Sequence, residues 1–212
     1  MPQEQLDRLR QAVTAQHSRP RSPWGGKAEV KSRAAVAMIF SPPKPAVARA
    51  RGERGLELLM IKRAEHKGDP WSGHMAFPGG RVDPGDVDPA AAAARETLEE
   101  VGLDLSDAEP LGPLPPLHTP PRVLRATMAI HPFVFTYDRP LPPLTPEAKE
   151  VASLHRFALS RLLADEGRAT FPWKMRGQTL RMPCILMDGC RIWGLSLSML
   201  DDLLERLREL DP

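Results

Sequence analysis

Three glutamates, Glu96, Glu99 and Glu100, fall within the segment RETLEEVGL (95–103), with Arg95 beside them. Carboxylate oxygens are the donors that Mg²⁺ and Mn²⁺ prefer, and a Mg²⁺ site commonly joins a few of them to water and substrate phosphate. The spacing i, i+3, i+4 places all three on one face of a helix. Like charges one turn apart destabilise an isolated helix by roughly 0.2–0.5 kcal/mol per pair, and near its C-terminal end the helix dipole opposes them too. A solvated acidic face is one reading. A divalent cation that removes the conflict is the other, with Arg95 orienting a carboxylate through charge-assisted hydrogen bonds. Gly79 and Gly80, in FPGGRVDPGD, let the backbone approach a ligand or metal closely.

The elements that position these residues are legible nearby. Asp88 suits a helix N-cap, Pro89 the first turn, and the alanine run that follows has the highest helix propensity available. Gly102 then ends the helix. Upstream, RAAVAMIF (33–40) and LELLMIKR (56–63) read as buried strands that pair as neighbours around an exposed loop, 41–55. Downstream, 111–123 reads as a proline-rich connection and 124–137 as one or two strands. A strand over 150–157 runs into a short helix. TLRMPCILM and CRIWGL read as strands about a turn at Asp188-Gly189, and SLSMLDDLLERLREL as a closing amphipathic helix. Strands and helices mix without regular βαβ alternation.

Composition narrows the function classes. The 212 residues carry 29 basic and 27 acidic side chains, a net charge of +2, too balanced to suggest a nucleic-acid partner. No apolar run approaches the length of a membrane span, and the first residues lack a signal-peptide core. The two cysteines, Cys184 and Cys190, make no disulfide framework, so a cytoplasmic setting is expected. Residues 1–30 read as an N-terminal helix followed by a basic linker arm, HSRPRSPWGGK.

Taken together, GGRVDPGDVDPAAAAARETLEEVGL resembles the Nudix box of the Nudix hydrolase superfamily, G-x5-E-x7-R-E-U-x-E-E-x-G-U. Gly80, Arg95, Glu96, Glu99, Glu100, Gly102 and Leu103 match in order. Asp86 stands where the pattern has Glu, with eight residues rather than seven before Arg95, and Thr97 takes a position that is usually aliphatic. The resemblance implies that 31–212 is one Nudix hydrolase domain, an α/β/α sandwich with a mixed β-sheet. It further implies Mg²⁺ or Mn²⁺ held by Glu96, Glu99, Glu100 and a carbonyl of the Gly79-Gly80 pair, and hydrolysis of a small nucleoside diphosphate derivative. Glu96 and Glu150 are the candidate general bases. Glu150 also reads as an ordinary strand-end residue.

Segments on both sides of the box, over roughly 33–205, resemble the coenzyme A pyrophosphatase branch. Its accessory motif, close to L-L-T-x-R-S-x3-R-x3-G-x3-F-P-G-G, is half kept: Leu59, Arg63, Gly73 and Phe77 to Gly80 match, while the internal arginine is missing. ADP-ribose, dinucleoside polyphosphates and nucleoside triphosphates are the alternative substrates. A non-catalytic nucleotide sensor is an alternative of another class, against which the three intact box glutamates speak. Arg63 and His74 are candidate phosphate contacts, Trp71 could stack on a base, and Trp193 reads as core. Leu200, Leu203, Leu204 and Leu207 form a stripe that serves the core or a homodimer contact.

Overall fold

The run RAAVAMIF lies at the middle of the main sheet, and its alternate side chains face two different hydrophobic layers. A computed structural model describes residues 2–15, 30–52, 55–69, 71–119, 127–175 and 177–210. In chain order the elements are α1 Pro2–Thr14, β1 Val30–Ser41, α2 Pro45–Arg51, β2 Glu57–Arg63, β3 Met75–Ala76, β4 Gly79–Arg81 and α3 Pro89–Val101. There follow β5 Glu109–Pro113, β6 Leu117–His118, β7 Thr127–Thr136, β8 Val151–Ala158 and α4 Leu159–Leu163. The last are β9 Arg168–Met175, β10 Gln178–Met187, β11 Cys190–Trp193 and α5 Gly194–Glu209. The basic arm expected after α1 lies outside the described residues.

The main sheet has the order β3-β2-β1-β7-β5, with β4 also pairing β1, β6 pairing β7 and β8 pairing β2. β1 and β7 run parallel, whereas β1 and β2 are antiparallel neighbours, Ile39 opposite Leu59. The sheet is therefore mixed. Met38, Phe40, Leu58 and Met60 point to one layer, where α1 and α5 cover them with Leu9, Leu200 and Leu203. Ala37, Ile39, Leu59 and Ile61 point to the other, against Ala92, Ala93 and Val101 of α3. This is the expected α/β/α sandwich. A second antiparallel sheet, β11-β10-β9, stands beside it.

Helix α3 forms as its sequence directs. The Asp88 side chain accepts the Ala91 amide at 2.8 Å, and Gly102 closes the helix at φ 67° with its amide on the Leu98 carbonyl. Alanines at 92 and 93 are fully buried, so the helix axis lies close to the small side chains of β1. Thr97, in a usually aliphatic position, is fully buried too. Its hydroxyl donates to the Ala93 carbonyl at 2.6 Å, which satisfies it inside the helix.

Three segments differ from expectation, and a fourth, 124–137, matches it over its described part. The loop 41–55 contains the short helix α2, begun by Pro45. The proline-rich connection contains β5 and β6; Pro110 and Pro113 are tolerated because β5 is an edge strand. Among the described residues 127–137 hold one strand, β7. β9, with Pro172 in its middle, is a strand that the pattern of its residues does not signal. The closing leucine stripe serves the chain's own core: Leu200, Leu203 and Leu204 are completely buried. α1 joins the same core through Leu6, Leu9, Ala12 and Val13. It is also tied to β5 by Arg10, whose Nε and Nη2 donate to Glu109 at 2.8 and 2.7 Å.

Candidate active site

The C-terminal half of α3 carries Glu96, Glu99 and Glu100, and the helix packs against β4 and β1. Glu100 is 2% exposed, and its Oε2 accepts the Gly79 amide at 2.8 Å. Burial pushes its pKa up to about 7; the Glu96 and Glu150 charges add to this, against the Gly79 amide and Arg63. Burial also raises Glu96, with Glu99 and Glu150 adding and Arg95 opposing. Glu150 is exposed at the start of β8, and its carbonyl accepts the Ala64 amide at 2.8 Å, just beyond β2. The sequence-derived candidates Glu96, Glu99, Glu100 and Glu150 therefore occupy one electrostatic neighbourhood.

Arg95 organises the outer side of this face. Its Nη1 donates to Glu96 Oε1 and to Glu99 Oε2, each at 3.1 Å. Its Nε and Nη2 fork onto Asp86 at 3.0 and 3.1 Å, and Nη2 also reaches the Arg81 carbonyl at 3.1 Å. The fork explains the departure at Asp86. An aspartate displaced by one residue still meets the guanidinium in bidentate geometry, and Arg95 holds its carboxyl below the usual range.

The two glycines are needed for different reasons. Gly79 has φ 143°, and a Cβ there would meet the Ala35 carbonyl oxygen at 2.2 Å, because β4 pairs with β1 at this point. A Cβ on Gly80 would meet the Glu96 carboxylate at 2.4–2.5 Å. The Gly80 backbone thus lies directly under that carboxylate.

Arg63, at the end of β2, donates from Nη2 to Asp69 at 3.1 Å. Its Nε is buried without a hydrogen-bond acceptor among the described residues. Asp69 is a partner that sequence reasoning missed; its Asx-turn onto the Trp71 amide at 3.0 Å is the signal that DPW carries. His74 accepts the Arg63 amide through its backbone carbonyl at 3.0 Å. Its ring packs 4.8 Å from that of Trp193, and burial holds its pKa below the usual histidine value. Among the described residues, no three acidic, His or Cys side chains converge as a ready metal cluster. Glu96 and Glu99 turn to Arg95, and Glu100 turns to Gly79.

A boxed acidic helix above a glycine pair, on an α/β/α sandwich, defines a class, and comparison with known proteins identifies it. The NUDIX domain model matches residues 42–175, and the chain belongs to the Nudix family, as a hydrolase acting on pyrophosphate bonds. It is 30% identical over 191 residues to the mitochondrial coenzyme A diphosphatase NUDT8 of Homo sapiens, covering 86% of this chain and 74% of that protein. The same protein of Mus musculus is 29% identical over 170 residues, covering 80% of this chain and 76% of its own. A MutT/nudix family protein from Enterococcus faecalis shares the fold, with a TM-score of 0.53 at 17% identity, over 99% of this chain and 70% of that one. Among the described residues no helix is long and apolar enough to cross a membrane.

Proposed function

We propose that Glu96, Glu99, Glu100 and the Gly80 carbonyl hold Mg²⁺ or Mn²⁺, and that the chain hydrolyses the diphosphate of coenzyme A or a closely related nucleotide derivative. The observation that carries the proposal is the burial of Glu100 at 2% exposure beside two further carboxylates. A desolvated carboxylate among like charges is favourable where a cation joins it. Few protein oxygens from one helix, with the bare Gly80 backbone beneath Glu96, fit Mg²⁺, which keeps water and phosphate as its other ligands. When bound, such an ion neutralises diphosphate oxygens and lowers the pKa of a water.

The chain's own residues supply the rest. Arg95 fixes the directions of Glu96 and Glu99. The buried Arg63 Nε lacks an acceptor among the described residues, and the Arg63 charge acts on Glu100, which suits it to an anionic substrate. Glu150, exposed just before β8, and Glu96 are the two candidates to take a proton from a water. Similarity, at 30% identity, to a protein named a coenzyme A diphosphatase supports coenzyme A. The missing accessory arginine keeps ADP-ribose, dinucleoside polyphosphates and nucleoside triphosphates as the second reading, and loss of turnover on all of them would leave the sensor role. Two free thiols support a reducing compartment, the cytoplasm; the human relative's name places that protein in mitochondria.

The test is a panel. Purified protein with Mg²⁺ or Mn²⁺ is incubated with coenzyme A, ADP-ribose, NADH, diadenosine polyphosphates and nucleoside triphosphates, and the phosphate-containing products are separated. Phosphopantetheine with adenosine 3′,5′-bisphosphate is the expected product pair. No cleavage of any compound would refute the catalytic reading.

A further inference from the structure

Outside the carboxylate site, one feature combines aromatic surface with adjacency to it. The rings of His74 and Trp193 lie 4.8 Å apart, those of Trp193 and Trp173 4.7 Å apart at 50°. Phe171 continues the row, 5.0 Å from Trp193 and 6.3 Å from Trp173. The Arg191 guanidinium lies over the Phe171 ring at 4.3 Å. We propose that this ladder is a stacking subsite for the purine base of the diphosphate substrate, a reading that rests on the hydrolase function above.

Core packing does not account for the ladder. Strand alternation puts Phe171 and Trp173 on the same face of the smaller sheet, opposite Met182 and Leu180. The other face carries the fully buried Ile185 and Ile192, whereas on the ladder face Cys184, opposite Trp193, is the one residue buried among those described. On the ladder face Trp173 stays 37% exposed and Leu186 53% exposed. An indole open to water in spite of two ring contacts offers its surface to a further flat group. The rings of the row meet one another tilted or edge-on, at 50–87°, so the exposed Trp173 is the platform on which a base stacks, and the flanking arginine adds cation–π attraction.

Continuity with the carboxylate site selects the occupant. The Ser196 hydroxyl donates to the Met75 carbonyl at 2.9 Å, which seats the start of α5, and Trp193 before it, against β3. The Arg63 amide donates to the carbonyl of His74, at the inner end of the ladder, at 3.0 Å. From His74 the chain runs through β3 to Gly79, whose amide donates to Glu100 at 2.8 Å. Arg63 and the buried carboxylate thus both adjoin the segment that carries the first ring. A diphosphate at Glu100 and Arg63 directs its nucleoside along the ladder, and both arginines complement its charge.

Calorimetry with two probes, ADP and inorganic pyrophosphate, each with Mg²⁺, tests this on the full chain. Wild type is expected to bind ADP more tightly than pyrophosphate. Trp173→Ala should weaken ADP by about tenfold, within the range of one lost stacking contact, and leave pyrophosphate within twofold. Trp173→Phe, which keeps a ring, should retain most of the ADP affinity. Equal affinities of wild type for both probes would overturn the proposal, as would ADP binding unchanged in Trp173→Ala or both probes weakened alike. Tryptophan emission that changes with protein concentration alone would show a second copy covering the face and would also overturn it. If the substrate panel fails while ADP binding still depends on Trp173, the hydrolase reading falls and the subsite stands.

Discussion

Glu100 and Gly79 are joined by a hydrogen bond of 2.8 Å, from the glycine amide to the carboxylate. That single contact connects the box helix to the strand that carries the glycine pair. It also holds a charge where burial alone would remove it.

Without metal, burial pushes the folded Glu100 up to about 7, against 4.5 for an unperturbed glutamate. The folded state therefore binds this proton more tightly than the unfolded state does. The associated stability is fully present below pH 4.5 and is lost as pH rises to about 7. Glu100→Gln keeps an acceptor for the Gly79 amide and removes the titration. At pH 8 without metal it should be more stable than wild type by as much as about 3 kcal/mol, with the gap closing towards pH 4.5. Denaturant melts at both pH values check this; a variant less stable than wild type at pH 8 contradicts the burial argument.

Arg95→Ala releases Glu96, Glu99 and Asp86 together. Loss of such a supporting partner should lower kcat/KM on the best panel substrate by about 10–100-fold. Arg95→Lys should recover little, because an ammonium cannot reproduce the fork onto Asp86. Steady-state rates of the two variants decide the matter, and full activity in Arg95→Lys would show that only charge is required.

The glycine pair separates folding from function. Gly79→Ala drives a Cβ into the Ala35 carbonyl at 2.2 Å, a backbone atom that cannot move aside as a side chain can. It should cost roughly 2–4 kcal/mol of stability. Gly80→Ala meets only the Glu96 carboxylate, so its melting temperature should stay near that of wild type while turnover falls at least tenfold, the lower end for disturbing a metal ligand. Parallel melts and rates test the pair; an active Gly80→Ala would remove the close approach from the mechanism.

Leu9 is completely buried under the sheet. Leu9→Ala should destabilise the chain by about 2–5 kcal/mol, a value readable from urea unfolding. A change below 0.5 kcal/mol, the usual bound for a surface substitution, would make α1 an appendage.

The acidic helix is legible in the sequence because its determinants are local: Asp88, Pro89, the alanines and Gly102 each act within one turn. The strands β1 and β2 are legible because their central runs, AAVAMIF and LLMI, are apolar and buried on both faces. β9 is not. Pro172 and Lys174 obscure its pattern, and only its pairing with β10 makes it a strand. In the site, the glutamates announce themselves by spacing. The Arg63–Asp69 pair and the Arg95–Asp86 fork depend on loop geometry, which residue type alone does not encode. The ladder joins rings from three separate parts of the chain, so its assembly belongs to tertiary structure.

Crystals soaked in Mn²⁺ and measured for anomalous scattering test the metal assignment most directly. A peak bonded to carboxylate oxygens of Glu96 and Glu100 and to the Gly80 carbonyl, lost in Glu100→Gln, is the expected result. A featureless map at that position, with turnover that persists in excess chelator, would contradict it.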